Sequence, residues 1–121
     1  MKNPLLSLLL SLCLLSASCS GGRINGVKTH ANARQACLEN DRVRLCFDLR
    51  TGLYSASDLS EKSEALYDAY ATLNDFSTLE ADIRTAQFLP VSDSLGPGAT
   101  LRITSRRSGQ PALVFDFPLY P

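Results

Sequence analysis

The chain has few reactive side chains, and their spacing limits the chemistry open to them. One histidine, His30, occurs among 121 residues, whereas zinc sites draw on several histidine or cysteine ligands at close spacing. No metal and no cofactor is therefore expected, and His30 reads as an exposed side chain. A serine-histidine-acid relay needs a serine held beside the imidazole, and no serine here lies in a nucleophile elbow. Glu61, Glu64 and Asp68 lie close in sequence, but acid-base catalysis needs a carboxyl in a cleft with a shifted pKa. Helical periodicity would turn these three toward solvent. Phosphate-cradling glycine motifs and calcium loops are missing. The residues point away from an enzyme, indicate no small-molecule substrate and single out no catalytic residue.

Cys37 and Cys46 offer a different chemistry. Eight residues separate them, too many for the Cys-x-x-Cys spacing of reactive dithiols, so a structural disulfide is expected. The segment 42–49 supports it, because Val43, Leu45 and Phe47 alternate with Arg44, Cys46 and Asp48 as in a strand. Asn40 and Asp41 are good turn formers, and a fold-back there sets Cys37 opposite Cys46 and Glu39 opposite Arg44. Closing a loop of about ten residues contributes roughly 2.5 to 3 kcal/mol in the chain-entropy account.

The remaining two cysteines, Cys13 and Cys19, lie in the first twenty residues. Lys2 gives a weakly positive start, and an apolar run from Leu5 to Leu15 follows, the layout of a signal peptide. At about eleven residues this run is shorter than the twenty or so that a helix needs to cross a bilayer. The next residues, Leu15, Ser16, Ala17, Ser18 and Cys19, resemble the lipobox of bacterial lipoproteins. In that pattern an aliphatic residue and two small ones precede the cysteine that receives the lipid. Ala17 and Ser18 fit, while Ser16 occupies the aliphatic position and Leu15 lies one place further out. The resemblance, which covers the export segment alone, implies removal of residues 1–18 and a fatty (palmitate-type) anchor on Cys19. Ser20 in place of aspartate implies an outer-membrane anchor facing the periplasm. Counting cysteines agrees: Cys13 leaves with the signal, Cys19 is acylated, and Cys37 and Cys46 remain as a pair. A plain secretory cut near Ser18, leaving a soluble periplasmic or secreted protein, is the alternative.

Behind these residues the elements are less evenly marked. Residues 19–28 contain three glycines and no apolar periodicity, and read as a flexible tether after Cys19; residues 29–121 read as one domain. A short helix over 29–38 is weakly indicated. The clearest helical pattern covers 60–74, where Leu66, Ala69, Tyr70 and Leu73 fall at i, i+3, i+4 and i+7. Asp58 with Glu61 resembles a capping box at its start, and Tyr70 and Phe76 read as core, with a binding stripe of Tyr67, Tyr70 and Phe76 as the alternative. Residues 53–57 read as a strand after a turn at Arg50, Thr51 and Gly52. Residues 79–91 combine a helix-start signal at Ser77 and Glu80 with strand-like alternation of Leu79, Ala81 and Ile83, and a strand ending at Pro90 is favoured. Ser92 to Gly98 reads as a loop. A closing hairpin carries Leu101 and Ile103, then Leu113, Phe115 and Phe117, with Ser108 to Gln110 at the turn. The expected fold is α+β: a small antiparallel sheet of about four or five strands with one main amphipathic helix packed across it, after a cleaved signal peptide.

Charge narrows the partners. Twelve basic residues balance twelve acidic ones, which disfavours nucleic acid. The distribution is uneven: residues 23 to 50 carry six basic and three acidic groups, and residues 58 to 93 carry two basic and eight acidic. Arg106 and Arg107, beside the closing hairpin's turn, are candidates for contact with headgroups or an acidic partner. The pattern as a whole suggests a non-catalytic, lipid-anchored envelope protein that binds another protein in a pilot-like assembly role. A periplasmic inhibitor or immunity protein against a toxin or hydrolase is the second expectation.

Overall fold

The computed structural model describes residues 20–121, and strands make up most of that length. Six of them, β1 (Ser20–Ile24), β2 (Val27–Ala31), β3 (Gln35–Glu39), β4 (Val43–Asp48), β5 (Tyr54–Asp58) and β6 (Ser63–Ala69), form an antiparallel meander in chain order. A short hairpin, β7 (Thr72–Leu73) and β8 (Phe76–Ser77), leads through a 3-10 turn at Thr78–Glu80 into a three-stranded sheet. Its members are β9 (Ile83–Asp93), β10 (Gly96–Arg106) and β11 (Leu113–Leu119), with β10 in the centre.

The two large sheets pack face to face as a β-sandwich. Register lines up Leu38, Leu45 and Ala56 in one row, and Ala31, Ala36, Phe47 and Tyr54 in the next, on the same face of the meander. Val27, Ala36, Leu38 and Phe47 from that face meet Ala99, Leu101 and Ile103 from β10, and all seven are fully buried. Phe117 of β11 packs against Phe47 and Tyr54 with ring centroids 6.4 and 5.1 Å apart.

Asparagine and aspartate make the turns. Asn40 accepts from the backbone N–H groups of Arg42 and Val43 at 2.8 and 2.7 Å, and Asp48 accepts from those of Arg50 and Thr51 at 2.8 and 3.0 Å. Asn32, Asp58 and Asp93 make the same local bonds at the β2–β3, β5–β6 and β9–β10 connections. Asn25 and Gly26 close β1 onto β2 with φ of 50° and 84°, the double left-handed pair that a two-residue hairpin requires.

One arginine joins the sheets at an end. Arg84, on β9, donates from Nε to the Thr78 carbonyl at 2.8 Å and from Nη1 to the Arg50 carbonyl at 2.8 Å. It thereby ties the β4–β5 turn to the entrance of the second sheet. Thr78 is fully buried and satisfied, its N–H donating to the Ala71 carbonyl and its hydroxyl accepting from the Ala71 N–H. Gly52 passes so close that a Cβ there would lie 2.1 Å from the Thr78 oxygen, and its φ is +80°.

Several expectations are corrected. The fold is not α+β, because no helix longer than the single 3-10 turn occurs among the described residues. Residues 60–74, expected as the main helix, are β6, β7 and their connections. Register explains the false period: Ala56 pairs Leu66 whereas Ser57 pairs Glu64, and Tyr54 pairs Ala69, so two bulges each insert one residue into β6. An alternating face interrupted by two insertions reads as i, i+3. Asp58, the apparent helix cap, makes the same side-chain-to-backbone bonds at the head of a β-hairpin. The weak helix at 29–38 is β2, β3 and their turn, and the stretch expected as a tether is the β1–β2 hairpin. Residues 79–91 use both of their signals: Ser77 caps the 3-10 turn by accepting from the Leu79 N–H, and a strand follows that runs past Pro90 to Asp93. Most of the expected loop at 92–98 belongs to the β9–β10 ladder.

The expected pairing across Asn40 and Asp41 is what the structure contains, with Cys37 opposite Cys46 and Glu39 opposite Arg44. The Cys37–Cys46 disulfide spans a Cα separation of 4.2 Å.

Gly52→Ala is expected to destabilise the fold by about 3 kcal/mol or more, because the added methyl meets backbone and the φ is left-handed; urea denaturation of the variant against the parent measures it. A change below about 0.5 kcal/mol would show that the Arg84 clasp is not closed as described.

Acid sensitivity follows from the same turns. Ser60 and Tyr120 hydroxyls, with nearby backbone N–H groups, hold the Asp58 and Asp93 carboxyls below their ordinary value. Partial burial raises Asp48, but the N–H groups of Thr51 and Arg50 and the Arg50 charge together outweigh it and lower its pKa as well. A depressed folded pKa stabilises the native state fully above the unfolded value and ceases to as pH falls through the folded one. Unfolding midpoints should therefore be flat above the ordinary aspartate value of 3.8 and decline below it. Asp48→Asn, which keeps the turn's acceptor, should shallow that decline, and an unchanged profile would remove Asp48 from the account.

Candidate functional site

Three strands cannot cover six, and the shortfall falls at β6. The inner-face residue Leu66 is 43% exposed, and Tyr67, Tyr70 and Leu73 beyond it are 68%, 54% and 60% exposed. The stripe that helical periodicity assigns to a core is therefore surface, while Phe76 is buried. Past Leu73 the surface dips into a notch of about 190 Å³, lined by Leu73, Asn74, Phe76, Pro111 and Leu113 among others. Glu61, Glu64, Asp68 and Asp75 lie exposed along the same segment. Exposed apolar and aromatic groups with carboxylates along the same segment are the makings of a protein-docking surface.

The strand edges are blunted against indiscriminate pairing. Pro90 lies in β9 and Pro118 in β11, the two edges of the three-stranded sheet. β1 spans five residues and includes Gly21 and Gly22, and β6 carries its two bulges. These are recognised devices against strand addition, so contact at β6 falls to its side chains.

The opposite side of the meander is basic. On its outer face register aligns Arg23, Lys28, Glu39 and Arg44 across β1 to β4. Glu39 receives Lys28 at 3.7 Å and Arg44 at 3.6 Å. Together with His30 and Cys37 they line a shallow depression of about 400 Å³. His30, expected as an exposed side chain, is half-buried in β2, next to Cys37 in register.

The sequence-marked arginines lie elsewhere. Arg107 pairs with Glu80 at 3.0 Å, the following Ser108 N–H donates to Asp82 at 2.9 Å, and Arg106 is exposed at the end of β10. The structure thus holds the 106–108 corner against the acidic 3-10 segment rather than with the basic row. On the outer face of the second sheet, Arg102 and Asp116 form a two-pronged pair, both contacts 2.8 Å, that lowers the aspartate's pKa and raises the arginine's. Cys19 and the signal segment lie outside the described residues. Among the described residues no group of three metal-ligating side chains occurs, and no helix is long and apolar enough to cross a membrane.

Comparison with known proteins finds no matching family model, no matching curated protein and no matching solved structure.

If the β6–β7 groups are surface, polar replacements there leave stability nearly intact. Tyr67→Ser and Leu73→Ser should each change unfolding free energy by less than about 0.5 kcal/mol, whereas Phe47→Ala should cost about 3 to 5 kcal/mol. Thermal or urea unfolding checks all three, and a cost above about 2 kcal/mol at Leu73 would return that residue to a core.

Proposed function

We propose that this chain is a lipid-anchored envelope protein that binds another protein through the uncovered β6–β7 surface, in an assembly or pilot-like role rather than a catalytic one. The supporting observation is the run of Leu66, Tyr67, Tyr70 and Leu73, large apolar side chains left in water beside an otherwise filled sandwich. Burying groups of this size stabilises by roughly 1.5 to 3 kcal/mol for a fully enclosed side chain, and aromatic anchors dominate protein interfaces. The bulged edge directs a partner toward those side chains, and the carboxylates around them favour a partner surface that is basic as well as apolar. They also disfavour self-pairing, which would bring like charges together. The anchor, read from the resemblance at Leu15 to Cys19, would confine the encounter to a membrane surface.

A photo-reactive residue placed at Tyr67 tests the binding surface in intact cells, with the same residue at Val114 as the control. Val114 is 51% exposed on the three-stranded sheet. A discrete protein adduct is expected from position 67 and not from 114, and Asp75→Lys, beside Leu73 in the notch, should weaken it. Equal adducts at both positions, or none at position 67, would sink the proposal.

A further inference from the structure

The meander turns an asymmetry of sequence into one of space. Residues 23 to 50 carry six basic and three acidic groups, whereas residues 51 to 82 carry one basic group, Lys62, and seven acidic ones. Because the first six strands lie side by side in chain order, the basic groups gather at β1 to β4 and the acidic ones at β5 to β8. The two edges of this sheet stand about 24 Å apart, five spacings of roughly 4.8 Å. Ser20, the residue after Cys19, is already the first of β1. A lipid on Cys19 would join the fold at its basic edge, with no tether between.

We infer that the basic side of the sheet rests on an anionic phospholipid surface by its outer face, through Arg23, Lys28 and Arg44, and that the inner-face side chain Leu66 at the uncovered edge is thereby turned away from the membrane. Across β1 to β4 the row those three share contains one carboxylate, Glu39, already reached by Lys28 and Arg44, so two positive charges are left in excess there; the next carboxylate of the row, Glu64, lies two strands on in β6. Long cationic side chains on a flat sheet face suit phosphate headgroups, which attract basic residues over about a Debye length. Arg107 does not share this role, since Glu80 holds it. The inference deepens the anchored reading and rests on it for the placement of β1 at the surface.

The chain contains its own probes. Lys28 lies on the basic edge with its side chain 55% exposed, and Lys62 is exposed in the β5–β6 turn of the acidic edge. The full chain, as matured by a bacterial host, is mixed with vesicles of phosphatidylcholine alone or with added phosphatidylglycerol, and labelled with a water-soluble amine reagent. Mass spectrometry then reads each lysine. With phosphatidylglycerol, labelling of Lys28 should slow by roughly threefold or more while Lys62 is unchanged. Arg23→Glu with Arg44→Glu should abolish the protection, and Arg106→Glu should not.

Association with both vesicle types and no difference between the lysines overturns the inference and leaves the anchor standing. Association with phosphatidylglycerol alone, with Lys28 slowed, supports the basic edge and removes the lipid. Association with neither overturns both. Equal slowing of the two lysines, or slowing that tracks protein concentration rather than vesicle charge, overturns it in favour of another orientation or of a second copy of the chain.

Discussion

The structure depends on a mismatch of area. A six-stranded meander and a three-stranded sheet share one core, and the contact of Leu38 and Phe47 with Leu101 and Ile103 fixes where the smaller sheet lies. Everything beneath β10 and its neighbours is filled. Beyond them, at β6, cover runs out: the inner-face side chain of Leu66 is exposed, and that of Ala69 is half-buried. A sandwich with equal sheets would have hidden Leu66, and the acidic edge would then be an ordinary solvated rim.

That mismatch requires the sheets to be held in one position, since a small sheet on a larger one could slide. Polar contacts at both ends do this. Arg84 binds the carbonyls of Thr78 and Arg50 at one end. At the other, the side chain of Asn25 donates to the Gly98 carbonyl at 3.0 Å and that of Asn40 to the Tyr120 carbonyl at 2.7 Å, while Tyr120 bonds to Asp93. The bonds of Arg84 to Arg50, of Asn25 and of Asn40 each link a turn of the meander to the second sheet or its end, so the turns that set register within one layer also set its place against the other. The disulfide acts within the meander alone, joining β3 to β4 on the outer face. The binding proposed for the uncovered edge is thus presented by a fixed scaffold.

Much of this was legible where period two is unbroken. Val43 to Asp48 alternates cleanly, and from that strand the opposite placement of Cys37 and Cys46 follows. The closing hairpin of Leu101, Ile103, Leu113, Phe115 and Phe117 was equally plain. The sequence misleads where a local device changes the period, as at the two bulges of β6, which space Leu66 and Ala69 like a helical stripe. It misleads again where one motif serves two structures: an aspartate before two free N–H groups caps a helix or a hairpin equally well, as Asp58 shows. Two cues toward strands remain in the residues. Asn25–Gly26 is a strong hairpin signal obscured by the glycines around it, and Asn32, Asn40, Asp48 and Asp58 recur roughly every eight to ten residues, the turn spacing of an all-β chain. The sequence left the aromatic groups of this stretch between core and binding stripe, with core preferred, because exposure at β6 follows from the size of a second sheet that begins after residue 82.

Charge segregation was legible as well, but its meaning depends on topology. The same basic and acidic blocks on a helix-covered sheet would have neutralised one another; in a meander they are driven to opposite edges. The account then turns on whether the chain is held to a membrane at the residue preceding β1. Intact mass combined with membrane fractionation, comparing the native sequence with Cys19→Ala in a Gram-negative host, tests this most directly. The account predicts a mature form beginning at acylated Cys19 whose release needs detergent, with lipid and membrane retention both lost in the variant. An unacylated, soluble native product would contradict it and make a secreted inhibitor the better reading of the same uncovered surface.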